Sequence, residues 1–402
     1  MLCANVLRLA PIRRQRFHFG YILIMPYSFS STPTHRGVLL ANLGSPAAPT
    51  PDDVRAYLDE FLMDPRVMDM SYPLRWFIVK RMILPKRPMQ SAQAYQRIWW
   101  DEGSPLIVLT ERVRAKLEAM LHLPVVTGMR YGQPSVQVGL TTLLEEIGHG
   151  GEIVLFPMYP HYAMSTYETL VLKVLAELED LVGSKPTPER KAQRWLRDAV
   201  GQINDKDFLR SVGAYTLRII PPHYDHPDYI AALVASARPF LESPKFEHLL
   251  FSFHGIPERH LRKTAPRGSK CFSATCQMSS PAAHGVCYRH HVYATSRAFA
   301  WAAGLHTEQY SVSFQSRLGR DKWLQPYTVD ELTRLARAGV KNLAVITPSF
   351  TVDCLETLEE IGMEGRKIFL EAGGEDFQLI PSLNDNDDWV RAMAGMITQM
   401  QQ

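Results

Sequence analysis

The run Leu249-Leu250-Phe251-Ser252-Phe253 stops abruptly on His254-Gly255-Ile256-Pro257, a histidine followed by turn-forming residues. Apolar runs of this length bounded by Gly and Pro read as strands buried on both faces of a parallel sheet. Similar runs occur at 37–44, 125–132 and 153–160 in the first half of the chain and at 310–317 and 343–350 in the second. Helical patterns lie between them at 52–63, 111–121, 136–147 and 329–338. That alternation predicts the α/β class, with two similar doubly wound parallel-sheet lobes sharing a cleft. The matching trios of strands also suggest a coarse internal duplication. In open α/β sheets ligands bind beyond the carboxyl ends of the strands. His254 therefore stands where a catalytic base or metal ligand would stand.

The 402 residues suffice for a substantial core, and the composition, 46% hydrophobic and 21% charged, is that of a globular protein. We divide the chain into an N-terminal extension (1–36), a first lobe (37–177), a charged connector (178–218) and a second lobe (219–402) with a cysteine-bearing insertion at about 262–291. The extension is rich in arginine and free of Asp and Glu. It reads either as a transit-like leader or as an overlong translation start, with Met25 as the initiator, and the second reading is preferred. A formal charge of +3 gives no footprint for nucleic acid. No apolar run reaches the ~18 residues of a membrane span, and no G-x-x-x-x-G-K-[ST] loop offers a nucleotide site. The stretch Arg75-Trp76-Phe77-Ile78-Val79-Lys80-Arg81-Met82-Ile83-Leu84-Pro85-Lys86-Arg87 mixes aromatic and cationic residues. It is either an ordinary amphipathic helix with a solvated face or a contact with a membrane surface or an apolar anionic ligand. The expected location is the cytoplasm, with the inner membrane as the surface touched.

The segment Ser349-Phe350-Thr351-Val352-Asp353-Cys354-Leu355-Glu356-Thr357-Leu358-Glu359-Glu360 follows another apolar strand. If it is helical, Glu356 and Glu360 share a face, with Asp353 one turn earlier. Like charges so spaced oppose helix formation by roughly 0.2–0.5 kcal/mol, which suggests a use for protons or cations. The alternative is a cap, with Asp353 at the N-terminus and the acids favoured by the helix dipole.

Three motifs together resemble the ferrochelatase family: His254-Gly255-Ile256-Pro257, Phe314-Gln315-Ser316-Arg317-Leu318-Gly319 and Asp353-Cys354-Leu355-Glu356-Thr357-Leu358-Glu359-Glu360-Ile361. Leu39-Leu40-Ala41-Asn42-Leu43-Gly44-Ser45-Pro46 and Trp323-Leu324-Gln325-Pro326-Tyr327-Thr328 look the same. The similarity is to the Gram-negative bacterial type, and it runs from about Gly37 to Met393, excepting the insertion that begins at Leu178 and the cysteine-bearing stretch near Cys271. It implies a lyase that inserts Fe(II) into protoporphyrin IX without nucleotide, the terminal step of haem biosynthesis. The rivals are a coproporphyrin III enzyme and a non-catalytic porphyrin or metal carrier. By the same resemblance His254 and Glu356 are the catalytic pair and the ligands of the substrate Fe2+. Asp353 and Glu360 then lie on a proton or metal path. Arg130 and Tyr131 face the macrocycle from the opposite side, while Leu43, Phe314, Trp323 and Phe350 supply apolar walls.

Cys271, Cys276 and Cys287 are separated by four and ten residues, near His284, His290 and His291. Some ferrochelatases carry a [2Fe–2S] cluster, which takes four thiolates, or thiolates with histidine. Met164 stands where the animal type has its separate cysteine, so a cluster of that architecture is not expected. A local site for [2Fe–2S] or zinc, completed by a histidine or Cys354, stays open beside plain reduced thiols. Cys354 is otherwise read as a wall residue of the cleft.

Overall fold

The computed structural model describes residues 35–202, 208–273, 276, 281–317, 319 and 321–400. The expectation for the N-terminal extension falls almost wholly outside them. Among the described residues nine strands form two sheets. The first contains β1 (Arg36–Asn42), β2 (Val125–Met129), β3 (Glu152–Pro157), β4 (Leu209–Val212) and β5 (Tyr215–Ile219), in the order β2-β1-β3-β5-β4. The second contains β6 (His248–His254), β7 (Tyr310–Gln315), β8 (Asn342–Ile346) and β9 (Asp376–Leu379), in the order β7-β6-β8-β9. All pairings are parallel except β4 with β5.

The two orders repeat each other: the first strand of each sheet is flanked by the second on one side and the third on the other. This is the arrangement the internal similarity suggests. It also creates a switch point beside β1 and another beside β6, the place where open α/β sheets bind their ligands. β1 and β6 are buried for physical reasons. Val38, Leu39, Leu40 and Ala41 are fully enclosed, as are Leu249, Leu250, Phe251 and Phe253. Such strands need cover on both faces, and the helices between strands provide it.

The sheets share one apolar core. It takes in Val38 to Ala41 of β1, Leu249 and Phe251 of β6, and the inner faces of the helices Pro227–Leu241 and Asp387–Gln399. Trp389 of the C-terminal helix is completely buried against Phe156 of β3 and Tyr229. Arg36 donates to the Ile397 carbonyl, and Lys116 pairs with Asp385 and Asp387, so this last helix is fastened to the first sheet.

The stretch 178–218 differs from the expected surface connector. Its end supplies β4 and β5 to the first sheet. Its helix Glu189–Gln202 is anchored by Arg197 and Gln193, both 2.7 Å from the fully buried Glu168. An isolated buried carboxylate would be costly, and Arg197 of this connector, with Arg66, supplies the opposing charge. β4, β5 and β9 were missed because their short runs of mixed polarity lack a clean period.

Candidate active site at the strand ends

His254 is the last residue of β6, paired in register with Gln315 of β7. Its Nδ1 lies 2.6 Å from the Gly255 carbonyl oxygen. A carbonyl can only accept, so Nδ1 carries the proton and Nε2 keeps a lone pair for a proton or a metal. The Tyr288 hydroxyl donates to the His254 carbonyl at 2.8 Å, fixing the strand end from behind. Gly255 is required at this bend: a Cβ would meet the Gln315 carbonyl oxygen at 2.8 Å and Trp323 at 3.2 Å. The rings of Trp323 and Phe350 flank the imidazole, at centroid distances of 6.4 and 6.2 Å.

The acidic segment follows β8. Glu356 opens a π-helical stretch, Glu356–Gly365, a rare form that recurs at functional sites. Gln315 Nε2 donates to the Glu356 carbonyl at 2.9 Å, and the Ser316 N–H donates to Glu360 Oε1 at 2.8 Å. The Ser316 hydroxyl donates to the other oxygen of Glu360. Burial raises the Glu360 pKa above the ordinary carboxylate value, and the nearby Glu356 adds to this, while Ser316 and His254 oppose it. Glu360 thus feels both His254 and Glu356, so the three groups share one electrostatic environment. Ser316 holds this position with φ of 66°, a left-handed conformation that turns its N–H and hydroxyl onto one carboxylate.

Asp353 behaves differently from the path residue expected. Its side chain is buried and accepts from the Thr357 hydroxyl at 2.8 Å, the Ser382 N–H at 3.3 Å and Asn384 Nδ2 at 2.7 Å. Those bonds occupy both oxygens, so Asp353 ties this turn to the loop after β9. It is not a cap either: the π-helical stretch starts with Leu355 at the N-cap position and no side-chain cap hydrogen bond. Glu356 and Glu360 remain on the site. Glu359, between them, pairs with Arg97 of the helix Arg87–Ile98.

Arg130 and Tyr131 leave β2 on the far side of β1. The loops after the two strands interlock at Gly44, whose φ is 105° and whose added Cβ would lie 1.8 Å from the Tyr131 carbonyl oxygen. The Arg130 guanidinium is paired with Asp64, and its Nε donates to the Thr169 hydroxyl at 3.0 Å. Tyr131 is fully buried, with its hydroxyl donating to Asp64 at 2.9 Å. The pair expected to face the macrocycle is therefore held inward by a carboxylate that sequence reasoning missed. Burial alone would raise the Asp64 pKa, but Arg130, Thr169 and Tyr131 outweigh it and hold the group below its ordinary value.

A group depressed in this way stabilises the fold above the unfolded carboxylate range, and that stability is lost as pH falls through the folded pKa. Arg130→Met should accordingly cost about 3–5 kcal/mol at pH 7, because it leaves a buried charge uncompensated. The difference should be smaller at an acidic pH than at pH 7, because the uncompensated Asp64 of the variant protonates first and the depressed carboxyl of the parent only at lower pH. Denaturant unfolding at the two pH values measures it, and a loss independent of pH would show that packing alone is at stake.

Of the expected walls, Leu43 and Phe350 are partly exposed at the strand ends and Trp323 is buried beside His254. Phe314 is 1% exposed and belongs to the core. It alternates with His254's partner Gln315 along β7, so the period of two turns it away from the cleft.

Cys271, Cys276 and Cys287 line a separate cavity of about 180 Å³ together with His284 and His290, whose rings stack at 3.9 Å. None of the three is in a disulfide. Burial raises the thiol pKa of Cys271 and Cys287, and the neighbouring cysteines add to it. Among the described residues no set of three or more His, Cys, Asp or Glu side chains is drawn together closely enough to hold a metal ion. As placed, the residues do not form the ligand set of a [2Fe–2S] cluster or of zinc.

The ferrochelatase family model matches residues 35–199 and 192–401. The chain belongs to the ferrochelatase family. It is 47% identical to the ferrochelatase of Pseudomonas entomophila over 90% of this chain and 98% of that protein. The ferrochelatase of Pseudomonas putida strain W619 is 46% identical over 90% and 98%. That of Stutzerimonas stutzeri is 44% identical over 92% and 99%. Membership makes this chain a metal chelatase, a lyase whose substrates are ferrous iron and a porphyrin. The motifs at His254, Phe314 and Asp353 that carry the resemblance all lie at or beyond the carboxyl ends of strands of the second sheet.

Proposed function

We propose that this protein inserts Fe(II) into protoporphyrin IX to give protohaem, with His254 and Glu356 as its catalytic residues. The observation that carries the assignment of roles is the contact of His254 Nδ1 with the Gly255 carbonyl oxygen at 2.6 Å, from which we infer that Nε2 is the acceptor. Metallation releases two pyrrole protons as the iron enters. Nε2 takes a pyrrole proton, and the carboxylates of Glu356 and Glu360 carry positive charge along the π-helical stretch, as protons outward or as iron inward. Leu43, Trp323 and Phe350 offer apolar surface to the macrocycle. Because the metal leaves in the product, an open histidine and carboxylate suit the task better than a closed ligand cage. Side-by-side turnover of protoporphyrin IX and coproporphyrin III tests the substrate, with the first expected to be the better one. A preference for coproporphyrin III would reassign it.

The same reading includes a peripheral membrane contact for a protein of the cytoplasm. Among the described residues no helix is long and apolar enough to cross a membrane. The helix Tyr72–Phe77 and the π-helical stretch Ile78–Ile83 that continues it expose Tyr72, Leu74, Phe77 and Met82, each at least 50% accessible, beside Arg81 and Arg87. Apolar rings framed by cations suit an anionic bilayer, near which each basic residue contributes about 1 kcal/mol. The protein should co-sediment with vesicles containing phosphatidylglycerol and lose that binding in a Leu74→Ser, Phe77→Ser variant. Equal binding by the variant would remove this surface from consideration.

For the cysteine cavity the reading is of reduced thiols, with no step of the reaction passing through a cluster. Anaerobically purified protein should be colourless, and metal and sulfide analysis should find less than one equivalent of either zinc or iron with sulfide. Colour that disappears in Cys271→Ser, with sulfide present, would restore the cluster.

A further inference from the structure

The thiol of Cys354 lies inside the site, yet the mechanism above gives it nothing to do. Its Sγ is 3.1 Å from Glu356 Oε2. An ionised carboxylate accepts only, so the thiol is the donor. The side chain is 5% exposed, which shields this weak donor from competing water.

The rest of the residue is held by a continuous series of bonds. The Cys354 N–H donates to the Thr357 hydroxyl oxygen at 3.0 Å, and that hydroxyl donates to Asp353 Oδ1 at 2.8 Å. Asn384 grips Asp353 twice: its Nδ2 donates to Oδ2 at 2.7 Å, and its Oδ1 accepts the Asp353 N–H at 2.8 Å. Asn384 itself sits at φ of 49°, with its N–H on the Thr351 carbonyl at 2.8 Å. The series runs from the loop after β9 and ends on one oxygen of Glu356.

We propose that Cys354 is a positioning residue for iron insertion, its thiol pinning Oε2 of Glu356 so that Oε1 is presented to the substrate in a fixed orientation. The inference rests on the assignment of Glu356 as a catalytic residue. It explains why the buried network around Asp353 is built here: Asp353 acts through Cys354, and neither touches substrate. Mispositioning a reacting group by about 1 Å can cost 10²-fold in rate. A weak, single hydrogen bond should account for part of that range.

The test is a double-mutant cycle on the full-length protein, with Fe(II) and protoporphyrin IX assayed anaerobically, porphyrin affinity followed by fluorescence quenching and folding checked by circular dichroism. Cys354→Ala should lower kcat by about 10-fold and leave KM for the porphyrin unchanged. Cys354→Ser, which keeps a donor, should recover to within about threefold of the parent. In a Glu356→Gln background, Cys354→Ala should bring no further loss, since residues acting as a unit are not additive. Parental kcat in folded Cys354→Ala, a serine variant as poor as alanine, or additive losses in the cycle would each overturn the proposal. If Glu356→Gln alone turned over normally, the assignment of Glu356 would fail first, and this inference with it.

Discussion

His254→Ala should reduce iron insertion by about 10³-fold while protoporphyrin IX still binds. Removing the imidazole takes away the Nε2 acceptor at the end of β6 but leaves Leu43, Trp323 and Phe350 in place. The strand end is independently held by the Tyr288 hydroxyl on the His254 carbonyl and by the Gly255 N–H on the Gln315 carbonyl. The variant should therefore fold, and stopped-time assays of metalloporphyrin formation beside fluorescence titration of the porphyrin separate chemistry from binding. Turnover near that of the parent in a folded His254→Ala protein would remove the histidine from the mechanism.

Glu356→Gln should lower turnover by about a hundredfold or more, the low end of what a positioned acid–base group supplies. The amide keeps the size of the side chain and loses the charge that a proton or ferrous iron needs. Glu360→Gln should be milder. Its carboxylate is already engaged by the N–H and hydroxyl of Ser316, one step out along the π-helical stretch. Small and equal losses from both substitutions would return the two acids to a purely structural role at a helix start.

Three strands of the second sheet, β6, β7 and β8, were legible because they are short, largely apolar and bounded by turn residues, whereas β9 was not. The run before His254 could only be a central strand, and the rule for strand ends then placed the histidine at the mouth of a crevice. Glu356 and Glu360 were legible through their spacing. What could not be read was the partner each polar side chain would take. Arg130 and Asp64 are 66 residues apart in sequence, and nothing in either segment announces the pair. Without Asp64 in view, Arg130 and Tyr131 looked like groups aimed at a ligand. Asp353 likewise looked like the first of three carboxylates on a stripe, because Asn384 lies in a distant loop. The π-helical winding after Glu356 was invisible, since the periodicity of so short a segment does not distinguish it from an α-helix. Phe314 was misplaced by one step of the strand alternation, which is enough to send a side chain to the opposite face.

The central claim is that this chain metallates protoporphyrin IX through His254 and the carboxylate beyond β8. The most direct measurement is anaerobic turnover: purified protein, ferrous iron and protoporphyrin IX, followed by the absorbance of the metalloporphyrin, with His254→Ala in parallel. Protohaem formed catalytically over many turnovers by the parent, and about 10³-fold more slowly by the variant, is the predicted result. Stoichiometric porphyrin binding without turnover in the parent would contradict the claim and leave a carrier of the same fold.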